Sequence, residues 1–343
     1  MSATPARAAE VQVQTALDQL VAGGSELGLQ VAVYRHGQPV LSAWAGLADP
    51  AGARAVDGRT LFWASSTAKG VTATCAHVLA ERGRLDYDAP VSRYWPEFAA
   101  NGKGAVTVAQ VLSHTAGVPY PPPGFDLPQF VDWDATVNGI AELPLAWPPG
   151  TKIGYHNYTF GFIVGELVRR IDGRPIADFL QQELCAPLGI DSLFLGVPES
   201  ELDRVATRVP DNEWNRPELR RASIPSSGLF TTADALARFF ALLAEGGTLD
   251  GVRLLSPERI RLVAQMTTFE LDEIYHVTVK RGLGYRLGDD TGPGAGPTAL
   301  GHVGAGMFGY ADPDRHVAVA FVKNRVDGGW SAAEAVVQSI PEG

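Results

Sequence analysis

Length, composition and charge exclude several broad classes of protein. The 343-residue chain is 45% hydrophobic and 19% charged, which is typical of a folded globular protein of one large domain or two closely joined ones. It contains no continuous run of about 18 apolar residues that could span a membrane, and its net charge of −10, without a basic cluster, argues against a nucleic-acid partner.

The N-terminal segment, residues 1–14, lacks the apolar core and cleavage pattern of a secretion signal, which predicts a cytoplasmic protein. The next residues, 11–22, carry apolar side chains at helical spacing and predict a helix. Two β-branched and aromatic runs at 29–34 and 40–45 follow, separated by His36-Gly37-Gln38-Pro39, and predict a β-hairpin.

A second predicted helix begins at Ser66. The apolar run 61–64 leads into Ser65-Ser66-Thr67, hydroxyl residues suited to capping a helix that ends near Arg82, before Gly83. Ser66 is therefore predicted at a helix start.

The rest of the chain divides into a loop-rich middle and a strand-rich end. Residues 85–150 are crowded with Pro and Gly, which indicates loops and short helices. Helical spacing predicts further helices at 160–170, 176–184, 233–244, 257–265 and 332–339. Alternating or continuous apolar runs predict strands at 284–287, 299–303, 307–310 and 317–322.

Strands at both ends of the chain imply that the termini share one sheet. The predicted fold class is α/β (α+β), an antiparallel sheet flanked by helices with a mostly helical, loop-rich insertion. Residues 1–65 and 225–343 would form the sheet domain and residues 66–224 the helical domain, with the active site in the cleft between them.

The first of three short motifs is Ser66-Thr67-Ala68-Lys69. A hydroxyl and an amine three residues apart project from the same helix face, so the amine can reach the hydroxyl. A serine becomes a strong nucleophile when a neighbouring group takes its proton, and a partly desolvated lysine can do this or hold another base ready.

The second motif is Tyr155-His156-Asn157. An ammonium beside a tyrosine would favour the phenolate and make it a proton shuttle. The alternative is a buried Tyr155 with a satisfied hydroxyl.

The third motif is His302-Val303-Gly304, between two predicted strands. A glycine at this place lets a substrate approach the strand backbone, and the following amide can help to bind an oxyanion.

In this order and setting, the motifs resemble those of the serine β-lactamase and DD-peptidase superfamily, whose fingerprint is Ser-x-x-Lys, Tyr-x-Asn and Lys/His-x-Gly. The resemblance covers roughly residues 25–325. It includes further landmarks, namely Gly83-Arg84-Leu85-Asp86-Tyr87-Asp88-Ala89-Pro90-Val91, Val111-Leu112-Ser113-His114-Thr115-Ala116-Gly117 and Pro225-Ser226-Ser227-Gly228-Leu229-Phe230-Thr231-Thr232. It looks closest to the class C branch and its relatives, the family VIII carboxylesterases.

The resemblance implies a β-lactamase/transpeptidase-like fold and a set of residue roles. Ser66 would be the nucleophile, Lys69 its activator and Tyr155 the general base for acylation and acid for the leaving group. Asn157 would orient Lys69 and the substrate. His302, Gly304 and Ala305 would border the substrate, with the backbone N–H groups of Ser66 and Ala305 forming the oxyanion hole.

Val303 departs from the family pattern, in which a threonine hydroxyl usually contacts a substrate carboxylate. A site without that hydrogen-bonding group favours a neutral acyl substrate. His302 in place of lysine further weakens the β-lactamase interpretation. The expected function is therefore an esterase-like serine hydrolase with an acyl-enzyme intermediate, acting on a small-molecule acyl substrate.

Three other functions use the same residues or fold. An acyltransferase would replace water by an alcohol or amine, and a D-amino-acid peptidase or β-lactamase would act on related acyl groups. A non-catalytic binding protein on the same fold is the alternative of another class. The sequence does not determine the oligomeric state.

Several other signals have structural explanations. Gly304-Ala305-Gly306-Met307-Phe308-Gly309 matches a dinucleotide fingerprint but precedes a strand, which predicts a tight turn.

His77, His114 and His156 lack metal-ligand spacing, and Cys75 and Cys185 are predicted as buried thiols. No metal and no cofactor are expected. Aromatic residues near the motifs could form core or an acyl pocket: Trp63, Tyr120, Phe125, Trp133, Trp147 and Tyr158.

Overall fold

The largest sheet of the protein unites both ends of the chain. The computed structural model describes residues 5–326 and 329–340. The strands are β1 Gly28–Arg35, β2 Gln38–Asp49, β3 Arg54–Ala55, β4 Phe62–Trp63, β5 Leu193–Leu195, β6 Leu229–Thr231, β7 Thr248–Leu249, β8 Val252–Arg253, β9 Arg286–Leu287, β10 Leu300–Gly304, β11 Met307–Asp312 and β12 Val317–Lys323. Seven of them form one antiparallel sheet in the order β3-β2-β1-β12-β11-β10-β9.

Helices surround this sheet and fill the middle of the chain. They are α1 Pro5–Ala22, α2 Ala68–Glu81, α3 Val108–Leu112, α4 Trp133–Ala141, α5 Thr159–Asp172, α6 Ile176–Leu180, α7 Pro217–Arg221, α8 Ala233–Ala244, α9 Pro257–Val263 and α10 Ser331–Gln338. The predicted antiparallel sheet flanked by helices, with a helical and loop-rich insertion, is confirmed. Within the described residues, no helix combines the length and apolarity needed to span a bilayer.

The central strands are apolar on both faces because helices cover both. Every residue of β12 is buried. Ala318 and Ala320 belong to the core shared with α8, whereas Val319 and Phe321 pack with α1 and α10 on the opposite face. Since successive side chains of a strand alternate between faces, a continuous apolar run is what a strand between two helical layers requires.

The predicted hairpin at the start of the chain is confirmed, with longer strands than expected. Its turn is reduced to His36 and Gly37, both with positive φ (47° and 71°), so that β2 begins at Gln38 and continues to Asp49. Positive φ at both central residues is characteristic of the two-residue hairpin turn whose backbone twist matches the twist of the flanking strands. His36 adopts this backbone although it is not a glycine.

The end of α2 agrees with the sequence prediction, but its start does not. The helix ends before Arg82 and Gly83, which has φ +69°. The serines and threonine do not cap it through their side chains: Ser65–Thr67 forms a 3₁₀ turn, and the Thr67 hydroxyl donates to the Ala64 carbonyl instead. Ser66 still lies where the strand-like segment passes into the helix.

The two cysteines and the glycine-rich turn adopt the structures that the sequence predicts. Cys75 and Cys185 are buried free thiols, as expected. The glycine-rich segment forms the tight turn Ala305-Gly306 between β10 and β11, as expected, with φ of 52° and 77°.

The division into a sheet domain and a helical domain stays a prediction. A small sheet in the order β4-β6-β5 links the two proposed parts, because β5 comes from the helical insertion and pairs with β6 of the sheet portion. The two portions are therefore joined by strand pairing as well as by apolar packing.

Candidate active site

Ser66 and Lys69 lie one helical turn apart at the start of α2. Ser66 is partly exposed to the cleft, whereas the Lys69 side chain is fully buried. The Lys69 Nζ donates to the Ser66 Oγ at 3.3 Å and to the Ser226 carbonyl at 3.0 Å. The preceding residue, Ser65, has φ +51°, a strained backbone that often accompanies functional turns.

Burial controls the protonation of Lys69. Desolvation lowers the pKa of the Lys69 amine well below its usual value, and the positive charge of Arg286 lowers it further. A neutral amine can accept a proton, which an ammonium cannot do.

Tyr155 completes the predicted group. The Lys69 Nζ lies 4.6 Å from the centre of the Tyr155 ring, and Ser66 and Tyr155 line the same cavity. The structure therefore brings together Ser66, Lys69 and Tyr155, although 86 positions in the chain separate Lys69 from Tyr155 (155 − 69).

The predicted stabilisation of a Tyr155 phenolate is wrong. Burial raises the pKa of Tyr155. Arg286, Ser66 and Arg281 each lower this pKa, but burial is the larger effect and the pKa stays above its usual value. The expectation assumed a charged lysine beside the phenol, but a buried lysine loses its charge first. Burial therefore shifts both groups toward their neutral forms, the amine by lowering its pKa and the phenol by raising its pKa.

A buried ion pair fixes the backbone at Tyr155. The Arg281 Nη2 donates to the Asp272 Oδ2 at 2.9 Å, and the Tyr155 N–H donates to the other carboxylate oxygen at 3.2 Å. The same oxygen accepts from the N–H groups of Ile274 and Tyr275. Sequence analysis missed Asp272 and Arg281, because no motif surrounds either residue.

Ser226 positions the second acceptor of Lys69. Its hydroxyl accepts from the Gly161 N–H at 2.7 Å and donates to the Tyr158 carbonyl at 2.8 Å. These bonds join the segment before β6 to the start of α5 and leave the Ser226 carbonyl facing Lys69. The segment matches a family landmark, but its residue spacing does not predict this role.

Gly304 lies directly against the nucleophile segment. A Cβ at this position would come within 2.6 Å of the Ser66 backbone nitrogen and 2.8 Å of the Ser65 Oγ. Only glycine allows β10 this close to the predicted oxyanion-binding amide. Ala305, in the following turn, is exposed at the cleft.

His302 is buried beneath this strand rather than open to the substrate. Its Nδ1 accepts from the Val303 N–H at 2.9 Å, and its ring centre lies 6.2 Å from that of Tyr155. Burial, with the charges of Arg286 and Lys69, lowers the pKa of His302 well below its usual value, so the ring is neutral.

Asn157 lines the cleft and is partly buried. The acceptors that the described residues offer Lys69 are the Ser66 hydroxyl and the Ser226 carbonyl. Among the described residues, no hydrogen bond to Lys69 supports the predicted role of Asn157 in orienting it. The predicted contact of Asn157 with the substrate stays a prediction.

The three histidines that the sequence predicts to be structural or to line the cleft have hydrogen-bond partners within the protein. His77 bonds to the Tyr87 hydroxyl and the Leu283 carbonyl. His156 bonds to the Val118 N–H and the Gly154 carbonyl, and the Nδ1 of His114 accepts from the His156 N–H. Burial lowers the pKa of His77 to about 3 and that of His156 to about 4, so both rings are neutral.

Ser66 opens into a cavity of about 570 Å³. Of the aromatic residues considered from the sequence, Trp63 and Tyr158 line it. Trp133 instead donates to the buried Glu166, and Phe125 packs against Phe130. The cavity is large enough for a small acyl substrate.

Two arginines that sequence analysis missed, Arg208 and Arg286, also line the cavity. The Arg208 guanidinium carbon lies 4.1 Å from the centre of the Trp63 ring, and burial lowers the pKa of Arg208 to about 10. The Nε atoms of Arg208 and Arg286 are both buried without a hydrogen-bond partner among the described residues. The cavity wall therefore carries positive charge close to the nucleophile.

Comparisons with known proteins agree with this geometry. A sequence profile of the Beta-lactamase family matches residues 13–338. The Esterase/beta-lactamase LipL of Mycobacterium tuberculosis (strain ATCC 25618 / H37Rv) is 33% identical over 87% of this chain and 77% of its own length.

Solved structures of similar proteins cover nearly the whole chain. A family VIII carboxylesterase has a TM-score of 0.92 and 30% identity, covering 99% of this chain and 98% of its own. A penicillin-binding protein homolog from Caulobacter crescentus has a TM-score of 0.87 and 35% identity, covering 97% and 96%. The chain belongs to the Beta-lactamase family and is a serine hydrolase of the serine β-lactamase and DD-peptidase superfamily.

Proposed function

We propose that this protein hydrolyses carboxylic esters through an acyl-enzyme formed on Ser66. The observation that carries the proposal is the meeting of three groups at the cavity: the Lys69 amine donates to the Ser66 hydroxyl at 3.3 Å and lies 4.6 Å from the centre of the Tyr155 ring, and Ser66 and Tyr155 both line the cavity. The similarity to LipL and to the family VIII carboxylesterase supports an ester substrate.

The protonation states of Lys69 and Tyr155 determine which group accepts and which group donates a proton in each step. Neutral Lys69 takes the Ser66 proton while the Ser66 Oγ attacks the carbonyl carbon. As the bond to the leaving group breaks, the Tyr155 phenol gives its proton to the departing alkoxide, and the Lys69 ammonium returns a proton to Tyr155. Water then attacks the acyl group by the reverse transfers, which release the acid and restore the Ser66 hydroxyl.

The backbone supplies the oxyanion site in this scheme. The Ser66 N–H lies beside Gly304, and the Ala305 N–H belongs to the adjoining turn. Preorganised backbone donors stabilise the developing negative charge because they need no reorientation during the reaction.

A fluorophosphonate probe with intact-mass detection tests the nucleophile. We expect one adduct on the wild-type protein and none on Ser66→Ala. Ser227→Ala is the matched control, since Ser227 lines the same cavity and should leave labelling intact. Labelling that survives Ser66→Ala, together with unchanged ester turnover, would refute the assignment.

A second candidate is hydrolysis of an acyl substrate that carries a carboxylate, such as a β-lactam or a D-amino-acid peptide. The buried Nε atoms of Arg286 and Arg208, which have no hydrogen-bond partner in the described part of the chain, favour this candidate, whereas Val303 favours a neutral substrate. Matched neutral and carboxylate-bearing esters distinguish the two. A preference for the anionic ester that Arg286→Met abolishes supports the second candidate, and equal turnover of both esters supports the first.

A further inference from the structure

A histidine and carboxylate cluster lies outside the active site, where two hairpin turns meet the end of a helix. His36 occupies the turn between β1 and β2, His316 immediately precedes β12, and Glu245 follows the last residue of α8. One potential ligand atom from each residue lies within 4.8 Å of the other two. Sequence spacing does not reveal the cluster, because 209 positions separate His36 from Glu245 (245 − 36).

The backbone holds the two histidines together before any ligand binds. The His36 N–H donates to the His316 carbonyl at 2.8 Å, and the two rings stack with their centres 5.0 Å apart. Both residues have positive φ, 47° and 50°, a conformation that non-glycine residues seldom adopt. Both side chains are exposed and can be reached from solvent.

Glu245 supplies the negative charge of the cluster. Its Oε2 lies 3.2 Å from the Nδ1 of His316, while its Oε1 is buried without a hydrogen-bond partner among the described residues. A buried carboxylate oxygen without a donor is unfavourable, and a cation at this place would compensate it. The carbonyl end of α8, which carries partial negative charge, favours a cation at the same place.

We propose that His36, Glu245 and His316 form a binding site for a divalent transition-metal ion of the Zn²⁺ type. Imidazole and carboxylate ligands suit Zn²⁺, Co²⁺, Ni²⁺ and Cu²⁺, whereas Ca²⁺ and Mg²⁺ prefer oxygen ligands alone. Ligands about 2.0–2.1 Å from a tetrahedral ion lie roughly 3.4 Å apart. Closing the cluster therefore needs side-chain movements of about 1 Å, and water completes the coordination.

The site would stabilise the fold rather than take part in acyl transfer. β11 starts beside the active-site turn Ala305-Gly306, and its other end, Asp312, leads to His316. Six residues of extended strand separate the two places by about 20 Å. A bound ion would tie both turns of the sheet to α8.

Titration of tag-free, metal-free protein with Zn²⁺ by calorimetry tests the proposal. We expect one equivalent to bind and the melting temperature to rise by roughly 2–4 °C at saturating Zn²⁺. His36→Asn and His316→Asn, which suit left-handed backbone, and Glu245→Gln should each weaken binding at least about tenfold and remove the thermal shift. Ester turnover should stay unchanged in all three variants.

His276→Asn is the matched control, since His276 is also exposed with positive φ (56°) but lies outside the cluster. It should bind Zn²⁺ like the wild type. Co²⁺ absorption adds an independent readout, because imidazole and carboxylate ligands give visible bands without the thiolate charge transfer that Cys75 or Cys185 would produce. Zn²⁺ affinity that is undiminished in both histidine variants, or no wild-type binding below about 1 mM Zn²⁺, would overturn the proposal.

Discussion

Lys69 and Lys103 show how the partners of one residue type decide its role. Both side chains are fully buried, and burial lowers the pKa of both amines. Lys103 donates to three carbonyls, those of Ala100, Ala141 and Leu143. Lys69 instead bonds to one carbonyl and to the Ser66 hydroxyl, so that one of its partners can give up a proton.

Substitution of each lysine by methionine separates these roles. Lys69→Met should lower kcat/KM for an ester by about 10²–10⁴-fold, the usual contribution of a positioned proton acceptor, with little loss of thermal stability. Lys103→Met should keep kcat/KM but destabilise the fold by about 1–3 kcal/mol, because buried carbonyls lose their donor. Steady-state kinetics and thermal denaturation on both variants check this, and the reverse pattern would contradict it.

Arg286 should set the pH range of activity. Its charge lowers the pKa of both Lys69 and Tyr155. In the proposed mechanism, activity should rise with pH as Lys69 loses its proton and should fall as Tyr155 loses its own. Arg286→Met removes the charge and raises both pKa values, so both limbs of the kcat/KM profile should move to higher pH.

The pH profile with a neutral ester is the appropriate measurement. Arg208→Met is the matched control, because Arg208 lines the same cavity but is not among the charges that shift the pKa of Lys69 or Tyr155. A profile that is unmoved in Arg286→Met, or displaced to lower pH, would be inconsistent with neutral Lys69 as the base.

At the scale of elements, the active site depends on the distance between β10 and the 3₁₀ turn Ser65–Thr67. Gly304→Ala would place a methyl group 2.6 Å from the Ser66 nitrogen and force the two elements apart. Loss of one oxyanion donor costs about 10²–10³-fold in kcat, and we expect a loss of at least that size. Gly104→Ala, where a Cβ meets nothing closer than 3.8 Å, should leave kcat unchanged. Wild-type kcat in Gly304→Ala would show that this contact does not shape the site.

At the scale of the whole molecule, a buried ion pair joins the two ends of the chain. The Lys323 Nζ, at the end of β12, lies 2.5 Å from the Glu26 Oε1, just before β1, and both side chains are almost completely inaccessible. Because β1 and β12 are neighbours in the large sheet, the pair reinforces the contact that closes the fold.

Removing one partner of this pair should destabilise the whole protein. We expect Lys323→Met to lower the free energy of unfolding by about 3–5 kcal/mol, since it removes a buried positive charge that pairs with the Glu26 carboxylate. The double variant Glu26→Met/Lys323→Met should recover part of this loss. Urea denaturation followed by tryptophan fluorescence checks the cycle, and an unaltered midpoint in Lys323→Met would show that the pair contributes nothing.

The sequence by itself determined the local elements and the composition of the site. Several features follow from interactions within a few residues, which periodicity and turn chemistry encode: the spacing of Ser66 and Lys69, the C-terminal end of α2, both ends of α8, the first hairpin and the turn at Ala305-Gly306. The shared sheet of the two termini also followed, since apolar strands at both ends need partners.

Only the tertiary structure decided which distant groups meet and how they are charged. The Asp272–Arg281 pair, the Ser226 carbonyl and the cluster of His36, Glu245 and His316 come from segments far apart in the chain. The protonation of Lys69 and Tyr155 depends on burial, which the sequence around each residue does not specify. The physical reason is that desolvation and long-range contacts are properties of the packed molecule, whereas spacing describes only neighbours along the chain.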